Sequence, residues 1–490
     1  MSIKKMLLES TDEENVLLFL KNTIKGTEWE NKVFLVGGAV RDEIMGKAPK
    51  DLDFVVNGDL NAGIDFSVWL ARKLGIYREG SNPVIYPRFG TSKLSLQGNR
   101  SNLAIIDLEF VAPRKEEYTA GSRKPDVSDG DLTDETMRRD LTINSLMKNV
   151  STGKILDLSG RGISDIKNGL IRTTSDPEII FKEDPLRMLR AIRFAVKYGF
   201  KFDEGVLKNI KRFSSSINDI SKERVSEELN KILVSPNPTK GIRLLKVTGL
   251  LQHIIPEFNE AIGMRQNKYH TDDVFKHTMS VLSNTPPELK TRLMALFHDI
   301  GKVLTKSVSP EGSVHFYGHE KASERMVKDI MARLKYPNDL TDAVAKGVGS
   351  HMLLKHGGDD ATNISDKSLR KFTAAVGDNL KAILDVIHAD NISHTDDASM
   401  PRQIEIVKAR IDNLSAQIDK TNMKLPINGN DLTALGMKSG PIIGQILNAV
   451  QEAWYENPNI TKDEAMAIVN KFRVDNNINE IKIMINKMML

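Results

Sequence analysis

The sequence contains no cysteine and no long apolar run, and each absence excludes a class of structure. Without cysteine, the 490-residue chain cannot form disulfides, thiolate zinc sites or a cysteine nucleophile. No apolar run approaches the ~18 residues that a membrane-spanning helix requires, so we expect no membrane partner. The amino-terminal segment places acidic residues soon after a short apolar patch and lacks a secretory core, which predicts a cytoplasmic protein.

The overall charge is nearly balanced, but the basic residues are unevenly distributed. The chain carries 69 basic and 65 acidic residues, whereas residues 182–250 alone hold 15 basic and 8 acidic residues, a net charge of +7. Such a stretch is typical of a surface that faces phosphate groups, and a solvated helical face is the alternative. Histidine is more sharply localised, because all ten histidines lie between His253 and His394. Any imidazole metal site must therefore lie in that region.

The hydrophobic patterns predict an α+β protein with four parts. We expect a mixed sheet with helices over 1–150, a helical neck over 151–256, a helical histidine-bearing region over 257–400 and a helical tail over 401–490. In the tail, we expect Asp431 to cap a helix. The tail either contacts RNA or closes a helical bundle, and nothing in the sequence specifies the oligomeric state.

The amino-terminal region predicts a phosphate-binding turn followed by a metal site. An apolar run ends at Gly37-Gly38 before a helical pattern, which lets backbone N–H groups approach a phosphate. Asp51 and Asp53 then alternate with apolar residues at the start of a strand, so both carboxylates share one face. Two carboxylates held this close need shared cations, as in a two-metal phosphoryl-transfer site. A second acidic pair, Asp107 and Glu109, is a candidate for a third carboxylate.

These residues carry a resemblance to a known family. The Gly37–Asp42 segment and Asp51-Leu52-Asp53 resemble the signature of class II tRNA nucleotidyltransferases, which comprise CCA-adding enzymes and bacterial poly(A) polymerases. Four further motifs match in order, and they begin at Arg138, Asp157, Glu183 and Glu223. The resemblance implies a polymerase β-like nucleotidyltransferase domain, followed by helical domains.

The resemblance also implies roles for individual residues. Asp51 and Asp53 would bind Mg²⁺, and Asp184 and Arg187 would select cytosine and adenine by hydrogen bonding. The triphosphate and ribose of CTP or ATP would contact a shared set of turn and arginine residues: Gly38, Arg41, Arg139, Arg190 and Arg193. The tRNA 3′-hydroxyl would attack the α-phosphate and release pyrophosphate, with catalysis mostly by positioning and charge neutralisation.

The histidine region resembles a second family, the HD phosphohydrolases. The order His277, His298-Asp299 and Asp390 matches the metal ligands of that superfamily, and His319 and His351 match the ligands of members that hold a second metal. Imidazole with carboxylate suits a transition metal such as Ni²⁺, Mn²⁺, Co²⁺, Fe²⁺ or Zn²⁺. The resemblance implies 2′,3′-cyclic phosphodiesterase, 2′-nucleotidase and phosphatase activities; a fold without activity is the alternative.

The sequence therefore favours an enzyme that adds CCA to tRNA 3′ ends and carries a metal-dependent hydrolase domain. A poly(A) polymerase shares every amino-terminal motif, and an enzyme that adds only A or only CC differs in short loops. An HD hydrolase with a non-catalytic RNA-binding head is the alternative from another class, and the Asp51/Asp53 pair disfavours it.

Overall fold

The structure, a computed structural model, describes residues 13–48, 52–96, 106–117, 126–266, 272–395, 398–416, 425–437, 440–472 and 474. The chain divides into two compact units, Met1–Pro256 and Glu257–Leu490. The finer division at 150 and 400 stays a prediction. No helix in the described ranges is both long and apolar enough to cross a bilayer.

A seven-stranded sheet with the order β3-β4-β5-β2-β1-β8-β9 organises the first unit. Strand β2 pairs with β5 in parallel, and the other neighbours in this sheet are antiparallel. Two short pairs, β6 with β7 and β10 with β11, lie outside it. The strands of this unit are β1 (Val33–Val36), β2 (Leu52–Val56), β3 (Val84–Tyr86), β4 (Thr91–Leu96), β5 (Ile106–Val111), β6 (Arg114–Glu117), β7 (Asp126–Asp129), β8 (Met147–Asn149), β9 (Ile155–Leu156), β10 (Leu170–Ile171) and β11 (Lys201–Phe202).

Helices accompany this sheet and then form the basic neck. Helix α7 buries an apolar face, including Leu189 and Ile192, and ends at Gly199 in the left-handed conformation that glycine tolerates. The helices of this unit are α1 (Glu13–Ile24), α2 (Gly38–Ile44), α3 (Ala62–Leu74), α4 (Leu132–Met137), α5 (Gly162–Asn168), α6 (Pro177–Glu183), α7 (Leu186–Tyr198), α8 (Glu204–Phe213), α9 (Lys222–Leu233), α10 (Pro238–Val247) and α11 (Leu251–Ile254).

The second unit is largely helical. Its helices are α12 (Phe258–Ala261), α13 (Val274–Ser283), α14 (Leu289–Phe297), α15 (Lys302–Thr305), α16 (His319–Arg333), α17 (Asn338–Ser350), α18 (Asp366–Val376), α19 (Leu380–Asn391), α20 (Gln403–Ala416), α21 (Gly429–Ala434) and α22 (Pro441–Glu456). A short antiparallel hairpin, β12 (Ser307–Val308) with β13 (Val314–His315), interrupts them. Helix α14 is the most deeply buried, because its apolar residues from Leu293 to Phe297 are almost inaccessible to solvent.

The predicted fold class is confirmed, with local corrections. A mixed sheet with helices precedes a largely helical region, but the short β10–β11 pair and the β12–β13 hairpin lie where only helices were expected. The expected cap at Asp431 is wrong: Asn428 caps α21, and Asp431 accepts the hydrogen bond from the Asn428 N–H in a capping box. Ile446 and Val450 of α22 are fully buried in a small core of the tail.

Candidate functional site

The glycine turn of the first unit shapes one end of a cavity. Gly37 has a φ of +72°, and an added Cβ would lie 3.1 Å from the Arg139 guanidinium, so a larger residue would be both strained and obstructed. Gly38 begins α2, which carries the buried Arg41. The Arg41 guanidinium bonds to Asp42 and Asn144 and lies 4.8 Å from the Tyr198 ring centroid. Its position is therefore fixed from several sides.

Asp53 occupies the solvent-facing position of an otherwise buried strand. The other β2 residues are buried because they form the core of the sheet, and Asp53 lines the same cavity as Gly38 and Arg41. In the parallel register Asp53 pairs with Glu109, and burial, followed by the Asp53 charge, raises the pKa of Glu109. Asp107 instead forms an exposed ion pair with Lys93. Asp51 lies outside the described residues.

Arginine side chains line the rest of this cavity, whose volume is about 1070 Å³. The cavity therefore combines a carboxylate with a concentration of fixed positive charge, as triphosphate binding requires. The predicted residues that the structure brings together here are Gly38, Arg41, Asp53, Arg139, Asp184, Arg187, Arg190 and Arg193. Four further residues that were not singled out from the sequence also line the cavity: Arg138, Asp140, Asn144 and Arg224. The first three belong to the motif that begins at Arg138.

A buried ion pair holds α7 to the loop after α4. Asp140 is 7% exposed, and its Oδ2 lies 2.6 Å from Arg190 Nε. Burial raises the pKa of Asp140, but Arg190 and the Asn144 amide outweigh burial and the net pKa is lowered. The pair therefore stabilises the fold with Asp140 ionised.

We expect Asp140→Asn to lower the free energy of unfolding by roughly 2 kcal/mol at neutral pH, because Arg190 then loses its charged partner. The pKa of the Asp140 carboxyl is lower in the folded than in the unfolded protein, so its ionisation stabilises the fold at any pH above the unfolded-state value. This stabilisation is lost as pH falls through the folded-state pKa. The difference between wild type and variant should therefore shrink below pH 3.8. Urea unfolding across pH measures it, with exposed Asp219→Asn as the control; a pH-independent difference would contradict the assignment.

The two proposed base-reading residues are held by protein contacts. Asp184 ends α6, and its Oδ2 lies 2.7 Å from Arg224 Nη2. Arg187 is anchored by Glu183 at 2.7 Å and by the Arg138 carbonyl at 3.0 Å. Both side chains line the cavity, and these contacts fix their positions at its wall.

The second unit brings all six predicted HD residues together. His277 comes from α13, His298 and Asp299 follow α14, His319 begins α16, His351 follows α17, and Asp390 lies in α19. All six are buried. Their ligand atoms form two triads, His277/His298/Asp390 and Asp299/His319/His351, and within each triad the atoms lie within 4.8 Å of one another. The arrangement can hold two metal ions.

Asp299 joins the two triads. Its Oδ2 lies 3.1 Å from His298 Nε2, and its Oδ1 lies 3.2 Å from His319 Nε2. Burial raises the pKa of Asp299, but His298 and Lys302 outweigh burial and keep it well below the usual range. Asp299, which belongs to the second triad and contacts His298 of the first, would be able to contribute a ligand oxygen to a metal ion at either triad.

The histidine tautomers fit a metal centre. His298, His319 and His351 each place Nδ1 within 2.9 Å of the carbonyl three residues earlier. Because a carbonyl only accepts, Nδ1 carries a proton in each of these rings, so a metal ion would bind through Nε2 of the neutral form. Burial and the neighbouring histidines lower the pKa of His351 to about 3, so this ring is neutral. Among the described residues, the buried His298 Nε2 and Asp299 Oδ1 make these close contacts but no well-aligned hydrogen bond, as expected of metal ligands.

Two lysines and a histidine complete this site and were missed by the sequence reasoning. Lys302 Nζ lies 2.6 Å from Asp299, and Lys355 Nζ lies 2.5 Å from Asp390. His394 bonds to the Asp390 carbonyl at 2.6 Å. Lys302 could have been predicted to contact Asp299, because it follows three residues later in the same turn of the chain. Lys355 could not have been predicted, because it comes from a distant segment.

Comparison with known proteins assigns three parts of the chain to domain families. Residues 33–172 match the Poly A polymerase head domain, 199–262 match the probable RNA and SrmB-binding site of polymerase A, and 268–390 match the HD domain. A multifunctional CCA protein from Pasteurella multocida is 33% identical over 337 residues, which cover 64% of this chain and 71% of the relative. The chain belongs to the class II CCA-adding enzyme and poly(A) polymerase family.

Two further comparisons cover more of the chain. The CC-adding tRNA nucleotidyltransferase of Thermus thermophilus is 28% identical over 90% of this chain and 93% of the relative. The Bacillus stearothermophilus CCA-adding enzyme, solved in complex with CTP, has the same fold, with a TM-score of 0.62, 19% identity and coverage of 91% of this chain and 94% of that chain. The predicted family is confirmed, and the chain is a nucleotidyltransferase with an HD domain.

Proposed function

We propose that this protein adds C, C and A to the 3′ end of tRNA from CTP and ATP and releases pyrophosphate. One observation carries the proposal: a single cavity combines Asp53, the glycine turn and the arginines of α7 with Asp184 and Arg187. The name of the Pasteurella relative, a multifunctional CCA protein, agrees with it. The Thermus relative is named as a CC-adding enzyme, which corresponds to the CC-only alternative. We also propose a cytoplasmic location for this activity.

The residues of this cavity suit template-independent nucleotide addition. Arg41, Arg190 and Arg193 lie where they can bind phosphate oxygens, and Gly37-Gly38 leaves the backbone accessible. Asp53, together with Asp51, would hold Mg²⁺, which when bound neutralises triphosphate charge and assists attack by the 3′-hydroxyl. The protein contributes mostly position and electrostatic complementarity, as is usual in phosphoryl transfer.

Asp184 and Arg187 suit the two bases that CCA addition uses. Cytosine and adenine each present an exocyclic amino donor beside a ring-nitrogen acceptor, whereas uracil and guanine present the reverse order. A carboxylate acceptor beside a guanidinium donor therefore pairs with C and A and opposes U and G. This chemistry selects both nucleotides without a nucleic-acid template.

Nucleotide choice tests the proposal. With Mg²⁺ and tRNA transcripts that lack CCA, the wild-type protein should incorporate CMP and AMP and reject UMP and GMP. Arg187→Ala should reduce discrimination between CTP and UTP about 10- to 100-fold, because one paired donor is lost. Arg212→Ala, which removes an exposed arginine paired with Glu178, is the matched control. Equal use of all four nucleotides by wild type would contradict the proposal, and AMP incorporation alone would favour the poly(A) or A-only alternative.

For the second site we propose metal-dependent hydrolysis of phosphomonoesters and phosphodiesters, including 2′,3′-cyclic phosphates. The two triads, with Asp299 between them, support this reaction. They would hold a transition-metal pair, which when bound supplies an activated water and neutralises phosphate charge. Lys302 and Lys355 add positive charge for an anionic ester. Hydrolysis of nucleoside 2′,3′-cyclic monophosphates to nucleoside monophosphates in the presence of Mn²⁺ or Ni²⁺ tests this part.

A further inference from the structure

A stacked aromatic pair, partly buried His315 and exposed Tyr317, lines a cavity of the second unit together with residues of the metal-binding triads. The rings of His315 and Tyr317 are nearly parallel, with an interplanar angle of 8° and centroids 5.1 Å apart. Tyr317 is 77% exposed, the largest exposed fraction among the exposed large hydrophobic side chains of the described residues. A stacked aromatic surface left open to solvent provides a contact face for another flat ring.

Contacts of Phe316, the residue between His315 and Tyr317, hold this pair in place. Phe316, between the two, is buried, and Lys302 Nζ lies 5.4 Å from its ring centroid. His315 ends β13, and Tyr317 lies in the turn that follows, where its ring stacks on that of His315. The Phe316 carbonyl also accepts the Nδ1 hydrogen bond of His319 at 2.9 Å. The aromatic pair is thus tied directly to a residue of the second triad.

The aromatic pair and the triads line the same cavity, whose volume is about 700 Å³. Asp299, His319 and His351 form its metal-binding part, with Lys302 and Lys355 beside them, and His315 and Tyr317 contribute an aromatic part. This size is typical of sites for small organic ligands. A ligand with an anionic group at one end and a flat ring at the other matches both parts, and a nucleotide has this form.

We propose that His315 and Tyr317 form a stacking platform for a nucleobase and make the second site selective for nucleoside phosphoesters over phosphoesters without a base. The inference rests on the proposed hydrolase function and adds the residues that determine its specificity. Stacking on an aromatic side chain accepts any base, because every base has a π face. The platform therefore selects a nucleotide without selecting its sequence.

Substitution of Tyr317 tests the platform through KM and through binding. Tyr317→Ala should raise KM for adenosine 2′,3′-cyclic monophosphate about tenfold and leave kcat within about twofold. Hydrolysis of glycerol 1,2-cyclic phosphate, which has no base, should stay unchanged. Tyr317→Phe, which keeps the ring, should behave as wild type, and Tyr86→Ala, an exposed tyrosine of β3, is the matched control.

Two additional measurements separate the possible failures. Calorimetric binding of adenosine 2′-monophosphate should weaken about tenfold in Tyr317→Ala even if hydrolysis is absent, so failure of the hydrolase proposal leaves the platform testable. A short oligoribonucleotide with a 2′,3′-cyclic end is compared with the mononucleotide to show whether the stacked base belongs to RNA or to a free nucleotide. An increase in KM in Tyr317→Ala with either substrate supports the platform. Equal KM increases for the base-free and base-containing substrates, or equal losses in the Ala and Phe variants, would overturn it.

Discussion

Asp53→Asn should lower the rate of nucleotide addition at least about a thousandfold while leaving phosphoester hydrolysis unchanged. Asp53 is the carboxylate that β2 directs into the arginine-lined cavity, beside the turn formed by Gly37 and Gly38. In the proposed reaction, removing its charge would take away a cation ligand at the point where triphosphate and hydroxyl meet, and electrostatic stabilisation is usually the largest catalytic contribution. Incorporation of labelled CMP and AMP into truncated tRNA measures the loss.

Asp107→Asn is the matched control, because Asp107 is an acidic residue of the same sheet that forms an exposed ion pair with Lys93. This variant should keep wild-type addition. If Asp53→Asn kept more than a tenth of the wild-type rate, Asp53 would not be a metal ligand for the reaction. If it removed hydrolysis as well, with the fold intact by circular dichroism, the assignment of two separate sites would be wrong.

Asp299→Asn should have the reverse effect: hydrolysis falls at least about a thousandfold and nucleotide addition is retained. Asp299 is the one described carboxylate that approaches histidines of both triads, with Oδ1 facing His319 and Oδ2 facing His298. An uncharged amide cannot bridge two cations, so the metal content of the purified protein should also fall. Phosphate release and elemental analysis measure the two effects.

Nucleotide addition by the same Asp299→Asn sample serves as a folding control for the first unit. Asp385→Asn, on the same helix as Asp390 but paired with exposed Lys408, should keep both metal and hydrolysis. Full metal occupancy with full hydrolysis in Asp299→Asn would contradict the bridging role. A loss of both activities would show that the substitution damages the whole chain.

Features encoded by local patterns were predictable from the sequence. A short apolar run followed by two glycines predicts the strand, turn and helix around Gly37. The two-residue period of a strand predicts that the Asp53 side chain points outward. The His298-Asp299 pair was visible because an apolar helix ends there. Such features depend on residues close together in the chain.

Features that depend on distant segments were not predictable in this way. The Asp140–Arg190 pair joins residues 50 positions apart, and Lys355 reaches Asp390 from another part of the chain. The hairpin that presents Tyr317 is too short to give a strand pattern. The tail cap was misassigned because Asn428 and Asp431 are both good capping residues and only the backbone geometry decides which one caps.

The proposal of CCA addition is tested most directly by sequencing the ends of tRNA after reaction. Transcripts that lack the last one, two or three nucleotides are incubated with the purified protein, Mg²⁺, CTP and ATP. We predict that all three transcripts acquire a complete CCA end and that addition then stops. Long runs of A, addition that stops after CC, or no extension at all would contradict it.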